Sequence, residues 1–224
     1  MIPPLPAELP KHLPTLTPVL VRTIELLGTA VFAASGVLSA ARKGMDLLGV
    51  AVIAVVTALG GGTLRDVLLD RHPIAWIAHT SYLWASFAAT ALTLLWVRRY
   101  RAPERALLVA DALGLAFFVI SGVQIAEQVG QTGLIAVLMG AITGTAGGVV
   151  RDVLSAEVPL VLRPGTLYVT AALLGAVVYL AVEATGAPRA VSSVCGMLVI
   201  AGVRFWAIRH NVTLPVARVG PRAE

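Results

Sequence analysis

Apolar positions in this chain come in long blocks, with most polar positions falling between blocks. Seven blocks approach the ~20 helical residues needed to cross a bilayer. They predict spanning helices at about Leu20 to Ala40, Leu47 to Leu69, Ser81 to Val97, Arg105 to Ala126, Thr132 to Leu154, Leu167 to Val182 and Ala190 to Ile208. Arg42-Lys43-Gly44, Pro73, Pro159, Pro164 and the Gly186/Pro188 pair punctuate them. Two blocks are interrupted from within. The second contains Gly60-Gly61-Gly62-Thr63-Leu64-Arg65-Asp66, and the fifth contains Ala146-Gly147-Gly148-Val149-Val150-Arg151-Asp152. Glycine is a poor residue for a helix interior, and charge inside a membrane is costly.

Those two segments belong to a longer duplication. A gap-free shift of 86 residues superposes Glu25 on Asp111, Gly28 on Gly114, Phe32 on Phe118 and Ser35-Gly36-Val37 on Ser121-Gly122-Val123. The match continues through Thr57/Thr143, the Gly-Gly and Arg-Asp pairs, Pro73/Pro159 and Tyr82/Tyr168. Matches of Leu and Val are cheap in apolar sequence; matches of Arg, Asp, Pro and Tyr at one constant offset are not. The expected organisation is a Pro-rich tail (1–19), a first three-helix repeat (20–100), a second repeat (101–186), a seventh helix (187–210) and a C-terminal tail (211–224). Three spans per repeat is an odd number, so the second copy should enter from the opposite side. The expected fold is therefore an all-α membrane protein of seven transmembrane helices: two inverted three-helix repeats plus a seventh helix.

Composition agrees with a membrane chain. Of 224 residues, 58% are hydrophobic and 13% charged, and the mean hydropathy is +0.87. The net charge of +5 then bears on topology, and no nucleic-acid partner is expected. Eleven Lys and Arg, among them Arg42, Lys43, Arg98, Arg99, Arg101 and Arg105, fall on one side, against Lys11, Arg22, Arg71 and Arg189 on the other. The richer side should be cytoplasmic in a cell (inner) membrane, with the N-terminus outside and the C-terminus inside. The Pro-rich start lacks a basic region before an apolar one and does not read as a cleavable signal. Arg204, near the end of the last span, is expected to snorkel to the interface beside Trp206. The lone Cys195 is expected only to pack.

Two features concern chemistry. Gly140, Gly144, Gly148 and Asp152 share a helical face, as do Ala54, Ala58, Gly62 and Asp66; such small-residue stripes let helices approach closely. The adjacent glycines allow a kink or an unwound turn, and freed backbone groups in lipid must face protein or water. With Arg65 and Asp66 directly after them, a polar pathway is favoured over pure architecture. Depth suggests the charge pairs Glu25–Arg65 and Asp111–Arg151, with Asp66 and Asp152 as competing local partners. Ser35-Gly36 and Ser121-Gly122 read as helix packing rather than polar lining. His72 and His79 read as interfacial rather than as metal ligands. No phosphate-loop, nucleophile-elbow or zinc-protease pattern is present, so neither an enzyme, a cofactor nor a metal centre is expected.

Two three-helix units, each with Gly-Gly-x-x-Arg-Asp in its middle helix and followed by a seventh helix, resemble the TRIC (trimeric intracellular cation) channel family, in particular its prokaryotic members. The repeat unit is also known as a glycine transporter domain. The resemblance implies a homotrimer with one pore per protomer, permeated by monovalent cations, K+ above all and also Na+, with a bound membrane lipid left open. It also implies that Gly60, Gly61 and Gly62, with Gly147 and Gly148, bend their helices around the pore, and that Arg65 and Arg151 are its basic residues. Ala146 replaces the first glycine of the second motif, which implies a milder bend. The rival reading is a secondary transporter of a small solute such as glycine; a non-transporting scaffold is a third.

Overall fold

The computed structural model describes residues 17–163 and 167–210. Most of the Pro-rich tail, the C-terminal tail and Pro164 lie outside the described residues, as do Lys11, Arg218 and Arg222. Among those described, all regular structure is helical: α1 (Thr17–Arg42), α2 (Leu47–Leu68), α3 (Ala75–Ala78), α4 (Ser81–Arg99), α5 (Ala106–Gln128), α6 (Gly133–Leu154), a 3-10 turn (Leu160–Leu162), α7 (Val169–Ala184) and α8 (Arg189–His210). A helix stands at each of the seven expected positions. Five of them, α1, α2, α5, α6 and α8, are long and apolar enough to cross a membrane; α7 is apolar but only 16 residues long. The short α3 and the 3-10 turn were not expected. They follow Pro73 and Pro159, at matching places in the two repeats.

Local chemistry sets the helix ends. Asp46 begins α2 by accepting the Gly49 N–H at 2.7 Å, a side-chain N-cap. α2 and α6 end on the same device. Asp70 and Ala156 adopt left-handed φ values of 50° and 53°, which turns the chain so that Arg71 N–H reaches Asp66 C=O at 2.8 Å and Glu157 N–H reaches Asp152 C=O at 2.9 Å. This closes the last helical carbonyls and fixes the chain direction immediately after each Arg-Asp pair.

The interior is built from contacts that the two repeats exchange. α1 packs on α5, and α2 crosses α6. The rings of Phe32 and Phe118 stack with centroids 5.3 Å apart. Phe118 lies over Gly28, and Phe32 over Gly114. A Cβ on Gly61 would strike the Thr143 carbonyl, and one on Gly147 the Thr57 carbonyl. Each contact maps onto its partner under the 86-residue shift. Around this centre one apolar cluster lies between α1 and α2 with Phe118, and a larger one joins α5, α6, α7 and α8.

Helical structure continues through both glycine segments, so neither contains an unwound turn. Their visible effect is close crossing of backbones. The small-residue stripes divide in the same way. Ala54 meets Gly36 of α1, while Gly140 and Gly144 lie against Val119, Val123 and Leu115 of α5. Gly148 instead borders the charged site described next.

Candidate functional site

The two Arg-Asp pairs are wholly buried: Arg65, Arg151 and Asp66 are 0% exposed and Asp152 is 3% exposed. Arg65 Nη1 donates to Glu25 Oε1 at 2.6 Å, while its Nε and Nη2 donate to Asp66 Oδ1 at 2.9 and 2.7 Å. Arg151 Nη1 donates to Asp111 Oδ1 at 2.8 Å and to the Ser35 hydroxyl, and its Nε donates to Asp152 Oδ1 at 2.9 Å. The acidic residues that sequence reasoning offered as alternatives thus act together. Each guanidinium is held by one carboxylate from the preceding helix of its repeat and one from its own helix.

Each aspartate also works in the other direction. Asp66 Oδ2 accepts the Ala75 N–H at 2.8 Å, and Asp152 Oδ2 accepts the Leu160 N–H at 2.8 Å. These N–H groups open α3 and the 3-10 turn, so the carboxylates satisfy donors that a helix start leaves free. The turns at Asp70 and Ala156 aim the two short elements back at the aspartates.

Several participants escaped the sequence reading. Tyr82 donates its hydroxyl to Glu25 Oε2 at 2.8 Å. The buried Tyr168 hydroxyl and Asp111 flank Gly148, where a Cβ would sit 3.1 and 3.2 Å from them. Both tyrosines had been visible only as a repeat match. Trp76 Nε1 donates to Thr63 at 3.0 Å. The Ser-Gly pairs, expected simply to pack, separate by residue. Gly36 and Gly122 permit close helix contact, Ser121 bonds the Phe118 carbonyl, and Ser35 reaches across to the other repeat's arginine.

Arg204 requires a correction. It does not snorkel; it is 2% exposed, and its guanidinium lies 4.6 Å from the centre of the Tyr168 ring. It stands six residues before the end of α8 and turns inward, where the Tyr168 ring face supplies its attraction. The first repeat lacks a seventh-helix counterpart, so this cation stands behind the second site only. His72 and His79 are exposed, and His72 lies 3.5 Å from Asp70.

Two cavities adjoin the sites. One of about 220 Å³ is lined by Ser39, Arg42, Lys43, Glu157 and Arg163 at its charged end and reaches Asp152. Lys43 and Glu157 of this lining bond each other, and Ser39 of the lining is bonded to Ser155 at 3.0 Å. The hydrogen bond from Lys43 holds the exposed Glu157 carboxyl below its ordinary range, with Arg163 adding to the effect. The other cavity, about 20 Å³, is bordered by Glu25, Gly62, Arg65, Tyr82 and Phe118. It has room for about one water.

The comparisons with known proteins bear on the family and the fold. The domain family described as glycine transporter matches twice, at residues 22–98 and 108–184. A membrane protein of Vibrio cholerae is 45% identical over 196 residues, 86% of this chain and 80% of the relative. The inner membrane protein YadS of Escherichia coli K12 is 44% identical, covering 88% of this chain and 95% of its own. Among solved structures, the TRIC trimeric intracellular cation channel orthologue from Rhodobacter sphaeroides superposes with a TM-score of 0.82 at 35% identity, over 87% of this chain and all of that one. A prokaryotic TRIC channel solved in 0.5 M KCl gives 0.80 at 30% identity, over 88% and 99%. Twice-matched domain, membrane-protein relatives and TRIC architecture coincide: the chain belongs to the TRIC family, as a prokaryotic member built from two glycine transporter domains.

Proposed function

We propose that this protein is a monovalent cation channel, with K+ as its main ion, working as a homotrimer with one pore per protomer in the cell membrane. The observation that carries the reading is the pair of buried Arg–carboxylate sites at equivalent positions, one of them reached by a charged cavity. The relatives support it, since solved neighbours are described as cation channels and one as trimeric. The exchanged contacts of the two repeats support seven spans in two inverted halves. Basic-residue placement supports an outside N-terminus and a cytoplasmic C-terminus.

In this reading Gly60, Gly61, Gly62, Gly147 and Gly148 shape the ion pathway. Arg65 and Arg151, neutralised by Glu25, Asp66, Asp111 and Asp152, leave a polar but not repulsive lining. A guanidinium that swings off one carboxylate would expose negative charge to a passing cation, which makes each arginine a gate. Purified protein in liposomes loaded with KCl distinguishes the readings. A channel gives K+ flux that rises with the gradient and does not saturate at millimolar substrate. The carrier reading rests on the description of the matched domain; saturable, stoichiometric uptake of a solute such as glycine would establish it and remove the channel.

A further inference from the structure

The two repeats meet differently at their two ends. At one end the last turn of α1, with the residue after it, meets the turn that follows α6. Lys43 bonds the Glu157 carboxylate, whose other oxygen accepts from Arg163 Nη2 at 3.3 Å. Four residues earlier, Ser39 and Ser155 share a hydrogen bond of 3.0 Å. Arg42 donates to the Glu104 carbonyl and so ties the same end of α1 to the chain just before α5. Under the 86-residue shift, Ser39 and Lys43 correspond to Ile125 and Val129, and Ser155 and Glu157 to Leu69 and Arg71. Leu69 packs against the apolar cluster of the second repeat, and Arg71 lies 3.5 Å from Asp66 of its own repeat. Among the described residues, the polar crossing between repeats is therefore not duplicated at the other end.

Ser39, Arg42, Lys43, Glu104, Glu157 and Arg163 all line the cavity of about 220 Å³ that reaches Asp152. Its counterpart beside Glu25 and Arg65 holds only about 20 Å³. Exposure falls along the larger lining. The Lys43 and Glu157 side chains are 36% and 43% exposed, whereas Ser39 and Asp152 are 6% and 3% exposed. The ion pair thus stands toward water, and the aspartate that holds Arg151 stands toward the interior. Lys43 and Glu157 come from different repeats, so their bond joins two walls of one cavity. A pair this exposed is weak and is screened by salt. The α1–α2 turn that it holds is not packed in, since a side chain at Gly44 would meet nothing within 4 Å.

We infer that the Lys43–Glu157 pair is a clasp that governs entry from this end into the cavity before Asp152 and Arg151. Closed, it holds the α1–α2 turn of the first repeat against the post-α6 turn of the second. Released, it lets the turn move off Glu157 and widens the way to the second arginine site, while the other end stays closed by apolar packing. As a gate of conduction the clasp rests on the ion-pathway reading given above; entry into the cavity is measurable without it. On the topology proposed there, the clasp faces the cytoplasm.

A cysteine within the cavity reports on entry. Leu108→Cys, in a Cys195→Ser background and in membranes, should react slowly with a small uncharged maleimide. Adding Lys43→Gln should speed that reaction by up to about fivefold, the range set by an exposed ion pair. Glu157→Gln should do at least as much, since it also removes the Arg163 bond, and Lys43→Arg should keep the slow rate. Raising KCl from ~0.01 to ~1 M should speed labelling with Lys43 and Glu157 intact, because the screening length contracts from ~30 to ~3 Å. Lys43→Gln should flatten that response. Where a substituted protein fails to fold, this salt response decides. The inference is overturned if neither Lys43→Gln nor Glu157→Gln speeds labelling. It is also overturned if wild type conducts in planar bilayers and Lys43→Gln leaves its open probability unchanged. Faster labelling in the variants with no K+ current from any protein would sink the channel reading and leave the clasp standing.

Discussion

Arg151 is held by Asp111 and Asp152 at once, and that doubled pairing determines what each substitution should do. Asp111→Asn leaves the guanidinium balanced by Asp152, so it loses a charged hydrogen bond worth ~1.5–3 kcal/mol. Arg151→Gln leaves two carboxylates buried without a counter-charge and should cost more, ~3–5 kcal/mol. Denaturation of the purified protein in detergent should rank them in that order, with a smaller gap between Glu25→Gln and Arg65→Gln in the first site, where Arg71 Nη1 stays 3.5 Å from Asp66 Oδ1. Equal stability of wild type and Asp111→Asn would refute the pairing. The partners Glu25 and Asp111 were legible because charges at equal depth in lipid must find one another. The second role of Asp66 and Asp152, accepting the N–H groups of Ala75 and Leu160, was not. It depends on left-handed turns at Asp70 and Ala156; aspartate tolerates that conformation, but alanine gives no sign of it. Arg204 was misread because hydropathy gives depth but not the direction in which a side chain leaves its helix. Arg204→Gln should cost about 2 kcal/mol through the lost contact with Tyr168, where a snorkelling arginine would have cost little.

At the scale of elements, the glycine segments distinguish positions that look interchangeable in the sequence. Gly61 faces the Thr143 carbonyl of α6 so closely that a Cβ would displace backbone, whereas a Cβ on Gly60 would meet only Gly147 Cα at 3.9 Å. Gly61→Ala should therefore destabilise by ~1–3 kcal/mol through overpacking. Gly60→Ala should be neutral or slightly stabilising, because alanine is the better helix former. Melting curves of the two variants make the comparison directly, and equal effects would mean that the crossing of α2 and α6 is not what the glycines serve. The long helices could be read from apolar blocks, since period and length both point to them. α3 and the 3-10 turn could not. Four and three residues carry too little pattern, and it is the aspartate behind each that holds them in place.

At the scale of the whole molecule, the duplication could be recognised from one offset, and the contacts between Phe32 and Phe118 and between Gly61 and Thr143 show how the copies meet. The orientation proposed from the basic loops can be checked with an impermeant thiol reagent on intact cells in a Cys195→Ser background. Cysteine at position 79 (His79→Cys) should be labelled from outside and cysteine at position 104 (Glu104→Cys) should be protected; the reverse pattern would invert the topology. The central claim is that ions pass the two arginine sites. Its most direct measurement is the current through purified wild-type, Arg65→Ala and Arg151→Ala protein in planar bilayers under a KCl gradient. The account predicts unitary wild-type currents that reverse near the K+ equilibrium potential, with conductance or open probability altered in at least one arginine variant. Absence of unitary currents from folded wild type, or identical currents in all three proteins, would contradict it.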